Sequence, residues 1–82
     1  MKPENKRIKE LAKKLVNDIY SNWKYYSENK KRQINDFSKT LNFAYLDNFI
    51  VKNNEICEIY EDENEEKKKK FEYYFIQFFK KY

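Results

Sequence analysis

A chain of 82 residues has room for one modest core, because the buried share of surface falls as proteins shorten. Apolar residues make up 40%, Phe, Tyr and Trp together 20%, and charged residues 39% with a net charge of +4, so a few large rings stand in for many aliphatic side chains. The absence of glycine and histidine excludes Walker loops, dinucleotide fingerprints, EF-hand turns and nucleophile elbows, and removes the usual neutral-pH base and the commonest transition-metal ligand.

In the first segment Ile8, Leu11, Ala12, Leu15, Val16, Ile19, Trp23 and Tyr26 recur at the spacing of one helical face. With Pro3 suited to a first turn and Ser27-Glu28-Asn29 as a stop, a helix is expected over about 3–26. The second segment places Ile34, Phe37, Leu41, Tyr45 and Phe49 on one face and Phe43, Leu46 and Ile50 on a nearly opposite one. Such a helix, over about 31–51, has to be packed between neighbours. The stretch FIVKNNEICEIY reads in two ways. Asn53-Asn54 suits a two-residue hairpin turn over about 48–60, whereas Ile56, Ile59 and Tyr60 also keep helical spacing. Helix is preferred, since an isolated two-stranded ribbon is marginally stable. In the third segment Phe71, Tyr74, Phe75, Phe78, Phe79 and Tyr82 form a wide aromatic stripe, with Glu61 to Glu66 near its start and Lys80 and Lys81 at its end, as a helix dipole favours. A helix is expected over about 61–82, supported by Glu63–Lys67, Glu65–Lys69 and Glu66–Lys70 pairs. The fold class is therefore mainly α: a small three-helix domain spanning 1–82, with a short β-hairpin before the C-terminal helix as the alternative. The expected core is Trp23, Phe37, Leu41, Tyr45, Phe75 and Phe78. Asn29, Asn42, Asn53, Asn54 and Asn64 are expected to carry the turns, Asn being tolerant of left-handed backbone.

Residues 1–52 hold twelve basic and six acidic side chains, whereas 53–82 hold six and eight, so the positive field belongs to the first two-thirds. Lys2, Lys6, Lys9, Lys13 and Lys24 fall on one side of the first helix close to Tyr20, a pattern able to track phosphates with a ring for stacking, although solvated lysine faces are common. Lys30, Lys31 and Arg32 form a second basic cluster. Tyr73 and Ile76 lie opposite the aromatic stripe and are candidates for a contact site, for self-association, or for scattered surface positions. The acidic cluster reads as complementing a dipole, not as an oxygen-ligand cation loop. Cys57 reads as a small hydrophobe, with no histidine to activate it.

The segment DFSKTLNFAYLDNFI, residues 36–50, resembles the DNA-binding helix-turn-helix of phage-type repressors: Phe37, Leu41 and Phe43 suit its buried positions and Asn42 its turn. It departs where Asn48 stands at a position normally aliphatic, and its turn is about two residues short, so no functional residue is carried over.

Together these features lead to the expectation of a non-catalytic small binding protein that needs no cofactor or metal and acts by occupying a surface of a larger protein or nucleoprotein. Phage and mobile-element inhibitors or adaptors, anti-CRISPR proteins among them, are similar in size, a likeness resting on no motif. The alternatives are a basic DNA- or RNA-binding regulator using the lysine stripe or the helix-turn-helix-like segment, and a peripheral membrane protein laying its last helix on lipid. Homo-oligomers are compatible with the wide aromatic stripe. The single cysteine, an N-terminus without an apolar signal-type stretch, and a longest apolar run interrupted by Glu72 and Gln77 make the cytoplasm the expected location.

Overall fold

In the computed structural model, which describes residues 3–62 and 64–81, the first helix, α1, spans Pro3–Ser21. It closes where Asn22 donates to the Asp18 carbonyl from both its backbone and its side chain, and a 3-10 turn follows at Trp23–Tyr25. Ser27 caps α2 (Glu28–Thr40) by accepting from the Lys30 amide. A 3-10 turn at Phe43–Leu46 leads into the single turn of α3 (Asp47–Ile50). Asn53 caps α4 (Asn54–Glu61) through the Ile56 amide, and Asn64 caps α5 (Glu65–Phe79) through the Glu66 amide. Three asparagines thus start helical segments, since Asn42 also accepts from the Ala44 amide.

The main packing is α1 against α5, and the two helices run in the same direction. Asn5 accepts from the Lys70 ammonium at 3.0 Å, Lys9 lies over the Tyr74 ring, and Lys13 and Phe78 line one depression, so residue numbers climb together along both helices. Everything from the first 3-10 turn to α4 is the crossover that returns the chain to the starting end. Ile8, Leu11, Ala12, Leu15, Val16 and Ile19 of α1 are buried, and Ala12 leaves room for close approach. Opposite them stand Phe71, Phe75 and Phe79, and Phe37 and Phe43 complete a ring cluster: Phe37 meets Phe43, Phe75 and Phe79 at 4.8, 5.4 and 5.3 Å between centroids, mostly edge to face. The radius of gyration, 12.4 Å, is close to the roughly 12 Å of a compact chain this long.

The mainly helical class agrees with the periodicity, and residues 54–61 form the helix preferred over a hairpin; among the described residues there is no strand. The boundaries need correction. The helix expected over 3–26 stops at Ser21, where the Asn22 amide and side chain both close on the Asp18 carbonyl. The helix expected over 31–51 ends at Thr40, because Leu41 adopts left-handed backbone (φ 56°) and its amide closes on the Phe37 carbonyl. The one described residue with positive φ is thus a leucine, while Asn42, Asn53 and Asn64 cap from extended backbone. The core also shifts. Leu41 and Tyr45 are 38% and 39% exposed, being carried off the seam by that break, and Trp23 and Phe78 are half-buried at its rim. The aliphatic face of α1 takes their place. The segment 36–50 does not build the helix-turn-helix. Its second half is a 3-10 turn plus one α-turn that buries Phe43, Leu46, Phe49 and Ile50, while exposed Asn48 donates to Gln33, leaving no projecting recognition helix.

Candidate functional site

The aromatic stripe of α5 is wider than one helix seam can cover. Phe71, Phe75 and Phe79 face inward, which leaves Tyr74 and Phe78 at the edge of the seam beside α1. There they meet one flank of α1. Lys6, Lys9, Glu10, Lys13 and Phe78 line an open depression of about 420 Å³, and Lys13, Asn17, Phe78 and Lys81 line its continuation of about 290 Å³. The shared residues Lys13 and Phe78 join the two into one groove. Lys9 and Lys81 sit 5.9 and 5.5 Å from the Tyr74 and Phe78 ring centroids, so the ring faces help to hold the ammonium groups at the rim.

The groove carries an excess of one sign. Among the described residues Lys6, Lys9 and Lys13 enter no ion pair, and the one carboxylate in the lining, Glu10, reaches Arg7 at 3.5 Å. Like charges on one wall raise the local positive potential and draw in anions.

One turn beyond Asn17, Tyr20 enters a separate notch of about 350 Å³ with Trp23, Ile34, Asn35, Ser38 and Phe79. Tyr20 and Phe79 are 5.6 Å apart between ring centroids, and the Lys31 ammonium lies 6.0 Å from the Trp23 ring. Rings form its walls, and Asn35 and Ser38 add an amide and a hydroxyl at the α2 side.

The candidate residues read from the sequence divide accordingly. Lys6, Lys9 and Lys13 come together in the groove; Lys2 lies outside the described residues. Tyr20 stands in the notch with Lys31 at its edge. Lys24 leaves the stripe because α1 has ended, and it covers Tyr25, itself 74% exposed. Lys30 lies over Tyr26 and faces Lys52, whose hydrogen-bonding contact and positive charge hold the Lys30 ammonium below its usual pKa. Arg32 is exposed on α2 outside both depressions. Tyr73 is 60% exposed and packs on Tyr74, but Ile76 is half-buried against the core, since α5 turns that side towards its neighbours. Sequence reasoning did not assign Asn17, Tyr74, Phe78 or Lys81 to the site. For Tyr74 and Phe78 the signal was the excess width of the stripe, which only a partner helix could convert into a groove floor.

Other chemistry is sparse. The Cys57 thiol donates to Glu61 at 3.4 Å, and that carboxylate, with burial, pushes its pKa up, away from the reactive thiolate. Tyr60 is held far above its usual pKa by burial and by the Glu72 carboxylate to which it donates at 2.9 Å, so its phenol is a neutral strut between α4 and α5. Among the described residues no three His, Cys, Asp or Glu side chains converge on a metal position. Asp62 and Glu66 pair with Lys67 and Lys70 at 3.2 and 3.4 Å; Glu63 lies outside the described residues. No helix among the described residues is long and apolar enough to cross a membrane. Comparison with protein-family models, curated proteins and solved structures finds no match.

Proposed function

We propose that the protein is a non-catalytic binding protein that occupies an anionic surface of a larger protein or nucleoprotein through the α1–α5 groove. The observation that supports this reading is the clustering of Lys6, Lys9, Lys13 and Lys81 along one groove beside Phe78, with Lys9 over the Tyr74 ring, Lys81 over the Phe78 ring and Glu10 turned to Arg7. Cations give such a surface its encounter rate and its preference for negative charge, and the rings beneath supply contact area. Coverage by a small rigid body, with no cofactor, suits an inhibitor or adaptor. Burial of Phe71, Phe75 and Phe79 in the core favours this reading over a lipid-surface one.

Fluorescence anisotropy with labelled heparin and labelled oligonucleotides tests the groove. With four cations engaged, affinity for a strand is expected to fall about 50- to 150-fold between 50 and 200 mM salt. The triple variant Lys6→Gln/Lys9→Gln/Lys13→Gln is expected to lose most of both the affinity and the salt slope, whereas Lys39→Gln/Lys52→Gln, outside the groove, retains them. Absence of salt-dependent binding to every polyanion at 50 mM salt, or equal losses in the two variants, refutes the proposal.

A further inference from the structure

We infer that the groove accepts a single-stranded polynucleotide, one base of which stacks in the notch against Tyr20 and Trp23. This deepens, and rests on, the reading of the groove as an anion-binding surface. Lys6, Lys13 and Tyr20 are seven residues apart in turn, so they stand nearly in line along α1, and the line leads from the cationic groove into the ring-walled notch. From Lys6 to Tyr20 the helix rises about 21 Å, the reach of roughly four to six nucleotides of one strand. Along that line the chemistry changes in the order a strand requires: ammonium groups for phosphates at Lys6, Lys9 and Lys13, then flat faces for a base at Tyr20 and Trp23. The combination of a cationic track with aromatic platforms is the general solution for sequence-tolerant strand binding. At about 350 Å³ the notch has room for a planar ring, while Asn35 and Ser38 present groups able to meet a base edge. Lys31, beside the Trp23 ring, adds a cation where the backbone would leave.

A duplex fits less well. Its bases are stacked on each other and offer no free face to the notch, and the segment 36–50 buries the side chains that a recognition helix would extend into a major groove. An acidic peptide could satisfy the lysines, but it brings no ring at regular intervals for the notch. Acidic peptide is therefore the competing occupant that the experiment has to separate.

Trp23 is the one tryptophan of the chain, so its emission reports on the notch directly. An unlabelled eight-nucleotide single strand, an eight-base-pair duplex, inorganic polyphosphate and an eight-residue polyglutamate are titrated in turn at 50 mM salt. The strand is expected to quench Trp23 and to bind at least about ten-fold more tightly than the duplex or polyphosphate, one stacked base accounting for such a factor. Two variants locate the effect without relying on one folded mutant: Trp23→Ala removes a platform, and Asn35→Trp fills the notch from an exposed position. Each should lower strand affinity about ten-fold, read by anisotropy, and leave polyphosphate affinity and the salt slope unchanged. Equal affinity for strand, duplex and polyphosphate with no quenching overturns the inference while leaving the anionic-surface reading intact. Tighter binding and quenching by polyglutamate overturns it in favour of an acidic protein. No binding to any of the four overturns both.

Discussion

The two flanks of α1 use charge in opposite ways. On the flank that meets α4, the Arg7 guanidinium forks onto both oxygens of Glu55, with Nε donating at 2.8 Å, and Lys67 pairs with Asp62 at 3.2 Å across the same depression, whose floor is Ile8, Leu11 and Ile59. On the flank that meets the outer edge of α5, Lys6, Lys9 and Lys13 line a depression with Phe78, Lys9 lies over the Tyr74 ring, and none of the three has a carboxylate partner among the described residues. One set of charges is closed within the molecule; the other faces outward. The two sets are a few residues apart on one helix, so composition and net charge cannot separate them. What separates them is the neighbour: α4 and its C-cap supply Glu55, Glu58 and Asp62, whereas this side of α5 and the turn after it supply Tyr74, Phe78 and Lys81.

Both flanks depend on the seam between them, and its loss gives the largest expected effect. Phe75 is fully buried and touches the rings of Phe37, Phe43, Phe71 and Phe79. Phe75→Ala should destabilise by about 3–5 kcal/mol in urea denaturation, a large part of the roughly 4–12 kcal/mol that a chain of this length commands. Both flanks should then fail together, and a change below about 1 kcal/mol would show that the seam is not the common support. A smaller effect, of opposite sign, is expected away from either flank. Leu41 holds left-handed backbone at φ 56° while 38% exposed, a conformation that costs a branched residue about 1–2 kcal/mol. Leu41→Asn should raise stability by about 0.5–1 kcal/mol, since asparagine tolerates that region and little apolar burial is lost. A decrease would place Leu41 in the apolar packing instead.

Leu41 also shows where reading the sequence stops. Three-four spacing made the helical class legible and marked the apolar faces of α1 and α5, but it did not say that the aliphatic face of α1 would be core while Phe78 stayed at the rim. The break at Leu41 left no such mark: residues 31–51 keep apolar spacing on two faces, and nothing local to a leucine announces positive φ. With no glycine in the chain, the turns were assigned to asparagines, of which Asn42, Asn53 and Asn64 act as caps while Asn29 and Asn54 lie within α2 and α4. Three of the groove cations were legible as a lysine face because they share α1. Tyr74 and Phe78 were legible only as members of the α5 stripe and Lys81 only as a basic residue at its end, since periodicity assigns a residue to a face and does not say which neighbour that face meets. The parallel course of α1 and α5 brings the two sets together, and parallel packing is a long-range property that no local pattern contains.

The two flanks separate most sharply in acid, where the effects are smallest. Hydrogen bonding from Arg7, together with the nearby Arg7 and Lys14 charges, holds Glu55 below its ordinary carboxylate range. A group with a lowered folded-state pKa adds stability that is complete above its unfolded value, about 4.3 for Glu, and is lost as pH falls through the folded value. Arg7→Gln should therefore melt below the parent at pH 7, and the gap should close as pH drops from about 5 towards 2 in thermal denaturation. It stays modest because both side chains are about half exposed and water screens them. Among the described residues the lysine flank has no such partner to lose. Lys6→Gln/Lys9→Gln/Lys13→Gln removes three like charges and one ring contact, so its melting temperature should match the parent at pH 7 and rise slightly at low salt as repulsion is relieved. Its pH dependence should stay parallel to that of the parent, because Arg7 and Glu55 are untouched. A loss as large as that of Arg7→Gln would mean that these lysines hold the fold together, and the distinction between the flanks would disappear. Unchanged stability combined with lost anion binding would place their role outside the molecule.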